Sequence, residues 1–392
     1  MKTSIIFVGI LIMRNSVLFS MLENTDATPI ELAELKSNQQ VSGFYTEAVY
    51  STDDHEILGA RFIHQKSGFV LDLLRIQTIP QAFIWVNTHP VSDRGEPHTL
   101  EHLLLGKGKK GRYVASLEEM SLGKSSAFTA QVRTCYHFHT TAGSSVFFSL
   151  FKAKLDAMLH PDFSDEEIRR EVMNMGIRED SVDSTLSLEE KGTVYNEMVS
   201  SFERPWGNMY FKLGKMLYGK NHPVGFSAGG QPDAIREMIP EHIRQFHSST
   251  HHLNNMGAIV ILPDDINLDS CMGNLTQILD HLEPDAYPLN IHIDSINDEL
   301  PFPDIRNEVL LTKAVFPHTN ENEPGVLLFA WPANRQLDTK NAILIDLFLS
   351  NFAGGQTSIY MIGLLIQRAG LWILEQLLCL PGIRIRLVSR CI

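Results

Sequence analysis

The spacing of apolar residues along the chain predicts a series of strands. Runs of apolar and β-forming residues, some alternating with polar ones, are bounded by glycine and other turn-forming residues. The first two runs flank a turn at 65–68 and predict a β-hairpin. The predicted strands are 60–63, 69–76, 81–88, 123–139 and 256–262.

Helical spacing and end signals predict the helices. Apolar residues three and four positions apart over 146–160 are typical of a helix packed on a core. Ser164 with Glu167, and Ser187 with Glu190, have the spacing of a capping box, which closes the first turn of a helix. The predicted helices are 146–160, 164–178, 187–201 (broken at Pro205), 233–238 and 240–246.

Strands and helices in this order predict the α+β class, as a sandwich with helices on one face of a largely antiparallel sheet. A length of 392 residues allows two or three domains. Polar, proline-containing sequence marks a linker with a short helix at 272–282, and a new α+β pattern of strands 309–314 and 326–331 and helix 339–351 follows it. The expected divisions are a leader 1–27, a domain 28–265, a linker 266–305, an incomplete second domain 306–361 and a divergent tail 362–392.

The N-terminus predicts a leader. Residues 1–22 contain no acidic residue, and Lys2 precedes an apolar run at 4–13 that is too short for a stable membrane span. A secretory leader and export are the first expectation. An organelle-targeting peptide, or a cytoplasmic protein whose translation begins at Met21, is the alternative.

Composition narrows the classes of function. Hydrophobic residues make up 44% of the chain and charged residues 20%, which is typical of a globular protein. A formal net charge of −13 argues against a nucleic-acid partner. The cysteines have neither framework nor C-x-x-C spacing, so neither a disulfide scaffold nor a cysteine zinc site is predicted: Cys135, Cys271, Cys379 and Cys391.

The motif H-x-x-E-H, formed by His98, Glu101 and His102, carries the strongest chemical signal. Pro97 suits the first turn of a short helix, on which both imidazoles would leave one face, a turn apart. Two such imidazoles can hold one zinc ion, and Glu101 could take a proton from a metal-bound water. The same histidine pair also occurs on helices without a metal.

Glu197 is the candidate third ligand, because catalytic zinc usually has three protein ligands and a water. Glu190 lies seven residues earlier, on the same face of the predicted helix. Glu190 could orient a ligand or the water, or simply cap the helix, and both can hold.

Other polar residues receive structural interpretations. His247, His251 and His252 are expected in a loop, without a metal role, and the glycines between 219 and 230 predict a turn-rich loop. Arg169, Arg170 and Glu171 are expected on a solvated helix face. Phe128 and Tyr136 are expected to face the core.

Several motifs together resemble the inverzincin family of pitrilysin and insulin-degrading enzyme, and most of all its presequence protease branch. They are the H-x-x-E-H motif, "EEKGTVYNEM" with Glu190 and Glu197, "SSAFTAQVRTCY" at 125–136, "FERPW" at 202–206 and "HPVGFSAGGQPDAIREM" at 222–238. The resemblance runs from about residue 40 to about residue 360. It implies the mitochondrial-processing-peptidase fold and a zinc endopeptidase that cuts unfolded peptides in a closed chamber.

The resemblance also implies residue roles. His98, His102 and Glu197 would bind one zinc ion, with Glu101 as the general base and Glu190 as a further catalytic residue. The substrate backbone would pair with an edge strand that contains Ser126, Ala127, Phe128 and Thr129. Relatives carry Asn-Ala in place of Ser126-Ala127.

The same family has a second half that completes the chamber. The chain alone is therefore expected to cleave peptides weakly or not at all, and a complementary C-terminal half or second subunit is the expected partner besides peptides. The alternatives are a non-catalytic family member that acts as a structural or binding partner, and a small-molecule lyase on the same fold. The intact motif argues against the first and the peptide-type motifs after Ser125 against the second.

Overall fold

The computed structural model describes most of the first 283 residues and parts of the remainder. The described residues are 32–181, 184–219, 221–263, 267–283, 313, 315, 326–332, 338–353, 372–373, 378–380 and 383–390. The predicted leader at 1–27 and the predicted strand at 309–314, apart from residue 313, lie outside them.

The centre of the N-terminal region is a sheet of eight strands in the order β1-β2-β3-β4-β10-β5-β7-β6. Neighbours are antiparallel except for β4 and β10, which are parallel. This confirms the largely antiparallel sheet. The strands are β1 Gln40–Val41, β2 Phe44–Ser51, β3 Ile57–His64, β4 Val70–Arg75, β5 Gln81–Asn87, β6 Gly123–Thr129, β7 Arg133–Thr140 and β10 Met256–Leu262.

Helices cover one face of this sheet. Alternate residues of the strands, such as Ile84 and Phe138, are fully buried with helical residues such as Leu100 and Phe147 in one core. The helices are α1 Glu96–Leu104, α2 Gly108–Met120, α3 Ser144–Leu159, α4 Asp165–Val172, α5 Thr193–Phe202, α6 Pro205–Tyr218, α7 Pro232–Ile235, α8 Pro240–Thr250 and α9 Leu268–Leu282. No helix in the described ranges has the length and apolarity needed to cross a bilayer.

The predicted single strand at 123–139 is wrong. β6 and β7 form a hairpin in which Thr129 pairs with Thr134, closed by the Ala130 amide donating to the Arg133 carbonyl at 2.8 Å. Both strands are rich in β-forming residues, so composition alone did not reveal the turn. The reversal makes β6 one of the two outer strands of the sheet within the described residues.

Two predicted helix boundaries are also wrong. Ser164 and Glu167 do form a capping box, but α4 ends at Val172 and is followed by strand β8, Met175–Glu179. Strand β9, Leu186–Glu190, pairs with β8, so α5 starts only at Thr193 and Ser187 caps no helix. Leu186 and Leu188 alternate with polar residues, a strand period that the capping-box spacing concealed.

The helix predicted at 272–282 inside a linker belongs to the first core. It starts at Leu268 with an Asn267 cap, and its buried face joins the hydrophobic core through Leu268, Met272 and Leu275. The core therefore extends past the predicted boundary at residue 265.

The C-terminal part contains a second, smaller sheet. β11, Val326–Pro332, and helix α10, Thr339–Ala353, agree with the predicted strand and helix. β11 pairs antiparallel with β14, Ile383–Arg390, which also pairs with β12, Trp372–Ile373, and β13, Leu378–Leu380. The other predicted divisions, at 306–361 and 362–392, stay predictions.

Candidate metal centre

The helix that carries the H-x-x-E-H motif begins where only glycine fits. Gly95 has φ +75°, and a Cβ there would lie 2.6 Å from the Gly229 carbonyl oxygen. Pro97 then occupies the first turn of α1, where no backbone donor is needed. The start of α1 is therefore packed directly on the glycine loop, residues 225–230.

The three predicted zinc ligands meet at one point. His98 and His102 lie one turn apart on α1, and their ring centroids are 4.8 Å apart. Glu197 on α5 faces both rings, with His98 Nε2 at 3.6 Å from its Oε1 and His102 Nε2 at 3.6 Å from its Oε2. The donor atoms of the three residues all lie within 4.8 Å of one another.

This donor set fits a zinc ion. Tetrahedral ligands at about 2.0–2.1 Å from zinc lie roughly 3.3 Å from one another. The 3.6 Å separations are close to that value, and the full set of donor atoms, which spans up to 4.8 Å, would have to draw together around the ion. Two imidazoles and one carboxylate leave a fourth position open, as in catalytic rather than structural zinc sites.

Both histidines are oriented through their other ring nitrogen. His98 Nδ1 lies 3.3 Å from the Gly229 carbonyl oxygen, to which it can only donate. His102 Nδ1 lies 3.3 Å from Glu171 Oε2. A proton on each Nδ1 leaves the Nε2 lone pairs directed at Glu197, where a metal would bind.

Glu171 was expected on a solvated face, and that expectation is wrong. It is 1% exposed and joins His102 to Lys107, whose Nζ lies 2.9 Å from its Oε1. The signal was present in the sequence, because Glu171 occupies the same face of α4 as the buried Ile168 and Val172.

Glu171 and His102 shift each other's pKa. The hydrogen bond with Glu171 raises the pKa of His102, against the opposing effect of burial. Burial favours a higher pKa for Glu171, but hydrogen bonds from His102 and Lys107 outweigh it and lower that pKa. The carboxylate is thus held ionised beside the ligand.

The candidate general base, Glu101, is held beside the metal centre by a residue of the sheet. Glu101 is 6% exposed, and its Oε2 accepts a hydrogen bond from Thr129 Oγ1 at 2.5 Å. Thr129 is the last residue of β6, one of the two outer strands among the described residues. The edge of the sheet therefore ends at the carboxylate that the motif supplies.

The remaining predicted substrate-binding residues precede Thr129 on β6: Ser126, Ala127 and Phe128. Phe128 is 58% exposed, so the expectation that it faces the core is wrong. Tyr136, on the neighbouring strand, is buried as expected, and burial raises its pKa. Alternation along β6 turns Phe128 away from the buried side.

Glu190 lies outside the cluster of three ligands in the described part of the chain. Its Oε1 accepts from the backbone amides of Asn174 at 2.7 Å and Gly192 at 2.9 Å. Because it ends β9, it does not share a helix face with Glu197, and that prediction is wrong. These contacts anchor the start of α5, and its predicted catalytic role stays a prediction.

His247 lies within α8, not in the predicted loop, and its Nε2 donates to the Met158 carbonyl at 2.8 Å. Its ring stacks on His251 with centroids 4.9 Å apart. Burial lowers the pKa of both imidazoles. His252 has its own contacts, including the Ser249 carbonyl at 3.2 Å.

Sequence comparison finds relatives of this chain among known proteins. No model of a protein family matches the chain. An uncharacterized protein of Saccharomyces cerevisiae is 26% identical over 307 residues, covering 76% of this chain and 28% of the relative. The mitochondrial presequence protease of Gibberella zeae is 27% identical over 229 residues, which cover 56% of this chain and 22% of the relative. The chain spans about a quarter of these curated relatives.

Solved structures share the fold. Pitrilysin superimposes with a TM-score of 0.56 at 15% identity, over 89% of this chain and 35% of pitrilysin. A peptidase M16 inactive domain from Pseudomonas fluorescens superimposes with a TM-score of 0.57 at 13% identity, over 88% of this chain and 74% of that domain.

The chain is similar in sequence to presequence proteases and shares its fold with M16 peptidases. The α+β sandwich is thus the M16 peptidase fold. The activity of the complete relatives belongs to chains more than twice as long as this one, and it applies to this chain only as a proposal.

Proposed function

We propose that this chain is the metal-binding part of a zinc-dependent endopeptidase that degrades unfolded peptides. The observation that carries the proposal is the convergence of His98, His102 and Glu197, with Glu101 beside His102 on the same helix. Two histidines and a carboxylate with an adjacent buried glutamate form the constellation required for metal-assisted hydrolysis.

His98, His102 and Glu197 would hold one zinc ion. When bound, zinc would lower the pKa of a coordinated water and polarise the scissile carbonyl. Glu101 accepts the proton of the attacking water and later returns it to the leaving amine. Gly229 and Glu171 hold the two imidazoles in the required orientation throughout.

The substrate would lie along β6. Among the described residues this strand pairs with β7 on one side only, so its other edge can accept an extended peptide as an added strand. Ser126, Ala127, Phe128 and Thr129 would then lie beside the substrate backbone. Serine at 126 is shorter than the asparagine of relatives, which weakens that one contact.

The proposal includes a complementary half of the protein that is needed for cleavage. Because the chain spans about a quarter of its curated relatives, we expect weak or no cleavage by this chain alone, and strong cleavage once a complementary half is present. The names of two relatives place them in mitochondria or chloroplasts. We therefore favour an organelle over export as its location.

Zinc stoichiometry is the decisive measurement. The purified chain should contain one zinc, which Glu197→Gln should lose or bind far more weakly. Glu203→Gln, an exposed glutamate at the end of the same helix, is the matched control and should retain zinc. Absence of zinc from the parent chain and the control would refute the proposal.

A non-catalytic binding role is the second candidate, because one solved structure with this fold is named an inactive M16 domain. Peptide cleavage in the presence of a complementary half separates the two. Glu101→Gln should keep its zinc and abolish cleavage if the chain is an enzyme. If the parent chain binds zinc and peptide but cleavage does not change with Glu101, the binding role holds.

A further inference from the structure

Three threonine hydroxyls form a continuous chain that ends on Glu101. Thr88 Oγ1 lies 2.9 Å from Thr134 Oγ1, which lies 3.3 Å from Thr129 Oγ1. Thr129 Oγ1 in turn lies 2.5 Å from Glu101 Oε2. The chain crosses three adjacent strands, because Thr88 follows β5, Thr134 lies on β7 and Thr129 ends β6.

The inner part of this chain is closed to solvent. Thr88 and Thr134 are each 1% exposed. The Thr88 amide donates to the Val132 carbonyl at 3.0 Å, and Thr129 is paired with Thr134 in the β-ladder. The backbone therefore fixes the positions of the three residues, and their hydroxyls lie within hydrogen-bond reach of one another before a substrate arrives.

Counting hydrogens gives the chain one direction. Each hydroxyl has a single hydrogen, and an ionised carboxylate can only accept. Since Thr129 donates to Glu101, Thr134 must donate to Thr129. Thr88 must then donate to Thr134. Every hydroxyl dipole consequently points towards Glu101, and such a chain strengthens its last hydrogen bond.

We propose that Thr129, supported by Thr134 and Thr88, is a positioning residue for the general base. It fixes Oε2 of Glu101 and leaves Oε1 free to accept the proton of the attacking water. Buried carboxylates need donors, and a short hydrogen bond to an ionised oxygen is among the stronger ones available. This role rests on the function proposed above, in which Glu101 is the base.

The arrangement also links the base to the substrate strand. Thr129 belongs to β6, so a peptide added along that edge is aligned by the same strand that aligns Glu101. A displacement of β6 would therefore misplace base and substrate together, which makes the register of the hairpin important for catalysis.

The test begins with the hydroxyl protons themselves, observed by NMR in the full chain with 13C-labelled threonine. The signals of Thr129 and Thr134 should be protected from exchange, and Glu101→Gln should shift both. Thr140 is the internal control: its buried hydroxyl donates to the Ser121 carbonyl at 2.6 Å, on the same strand as Thr134 but outside the chain, and its signal should not move.

The kinetic test uses the zinc-loaded chain with its complementary half. Thr129→Val should lower kcat at least tenfold, with KM within twofold and zinc content unchanged. Thr129→Ser, which restores the hydroxyl, should restore kcat. A purely structural role for the Thr129 side chain predicts no such rescue by serine.

The two tests separate the two proposals. If the zinc-loaded wild-type chain cleaves no peptide even with its complementary half present, the proposed function fails, and the hydroxyl signals still decide whether Thr129 positions Glu101. Thr129 and Thr134 signals that stay unmoved in Glu101→Gln would overturn the positioning role. So would full kcat in Thr129→Val.

Discussion

Replacement of Glu171 by glutamine tests how far the metal centre depends on a residue outside the cluster of three candidate ligands. Glu171 is buried, with His102 Nδ1 at 3.3 Å and Lys107 Nζ at 2.9 Å. Glutamine keeps the volume and one acceptor oxygen, but it loses the charge. The change therefore weakens the hold on His102 without opening a cavity.

The magnitude follows from these two contacts. Removing the partner of a metal-binding histidine typically weakens metal binding by about 10–100-fold, which is roughly 1.4–2.7 kcal/mol. Lys107 adds little to this, because it is 39% exposed and water can replace the carboxylate at a cost below about 1 kcal/mol. The loss of zinc affinity should therefore come from the weaker hydrogen bond to His102.

The assay is competition for zinc against a chromophoric chelator. It is best made at about pH 8, above the ordinary pKa of histidine, because Glu171 raises the pKa of His102 and protons would otherwise compete differently in the two proteins. Glu166→Gln is the matched control, since Glu166 lies on the same helix but is exposed and pairs with Arg170.

Equal zinc affinity in Glu171→Gln and the parent chain, with Glu197→Gln strongly weakened, would refute this reasoning. It would mean that His102 is held by the backbone of α1 alone. A loss of the same size in Glu166→Gln would show instead that the charge of α4, and not the contact with His102, governs binding.

Three further predictions concern stability, each measured by thermal or denaturant unfolding. Phe147→Ala should cost about 3–5 kcal/mol, because the ring is fully buried, whereas Phe128→Ala at the exposed edge should cost well under 1 kcal/mol. Ser164→Ala removes a capping box and should cost about 1 kcal/mol. Gly95→Ala should cost at least about 1 kcal/mol, because φ is positive and the Gly229 carbonyl is in the way.

The segment between α4 and α5 shows why local patterns failed in one place. Ser187 and Glu190 have the spacing of a capping box, yet they lie on a strand that pairs with residues 175–179. A capping box needs only two residues in sequence, whereas a β-ladder needs a partner that local sequence does not reveal. The two strands pair with each other, so the helix that carries Glu197 begins only at Thr193, with Gly192 as its N-cap.

The fold class, the resemblance to M16 peptidases and the candidate metal ligands could all be predicted from local sequence. Residues on one helix have fixed relative positions, so H-x-x-E-H already placed His98, Glu101 and His102 on one short element. Glu197 followed from the resemblance and the need for a third donor. The structure places the two carboxylate oxygens of Glu197 3.6 Å from the Nε2 atoms of His98 and His102.

The residues that support that centre became apparent only in the folded protein. Glu171, Gly229 and Thr129 lie far from the motif in sequence and come from a helix, a loop and an edge strand. Their hydrogen bonds depend on how those elements pack, and no local periodicity encodes that. Residues that are close in sequence can therefore be assigned a chemical role from the motif alone. The long-range contacts that orient their side chains can be assigned only from the folded protein.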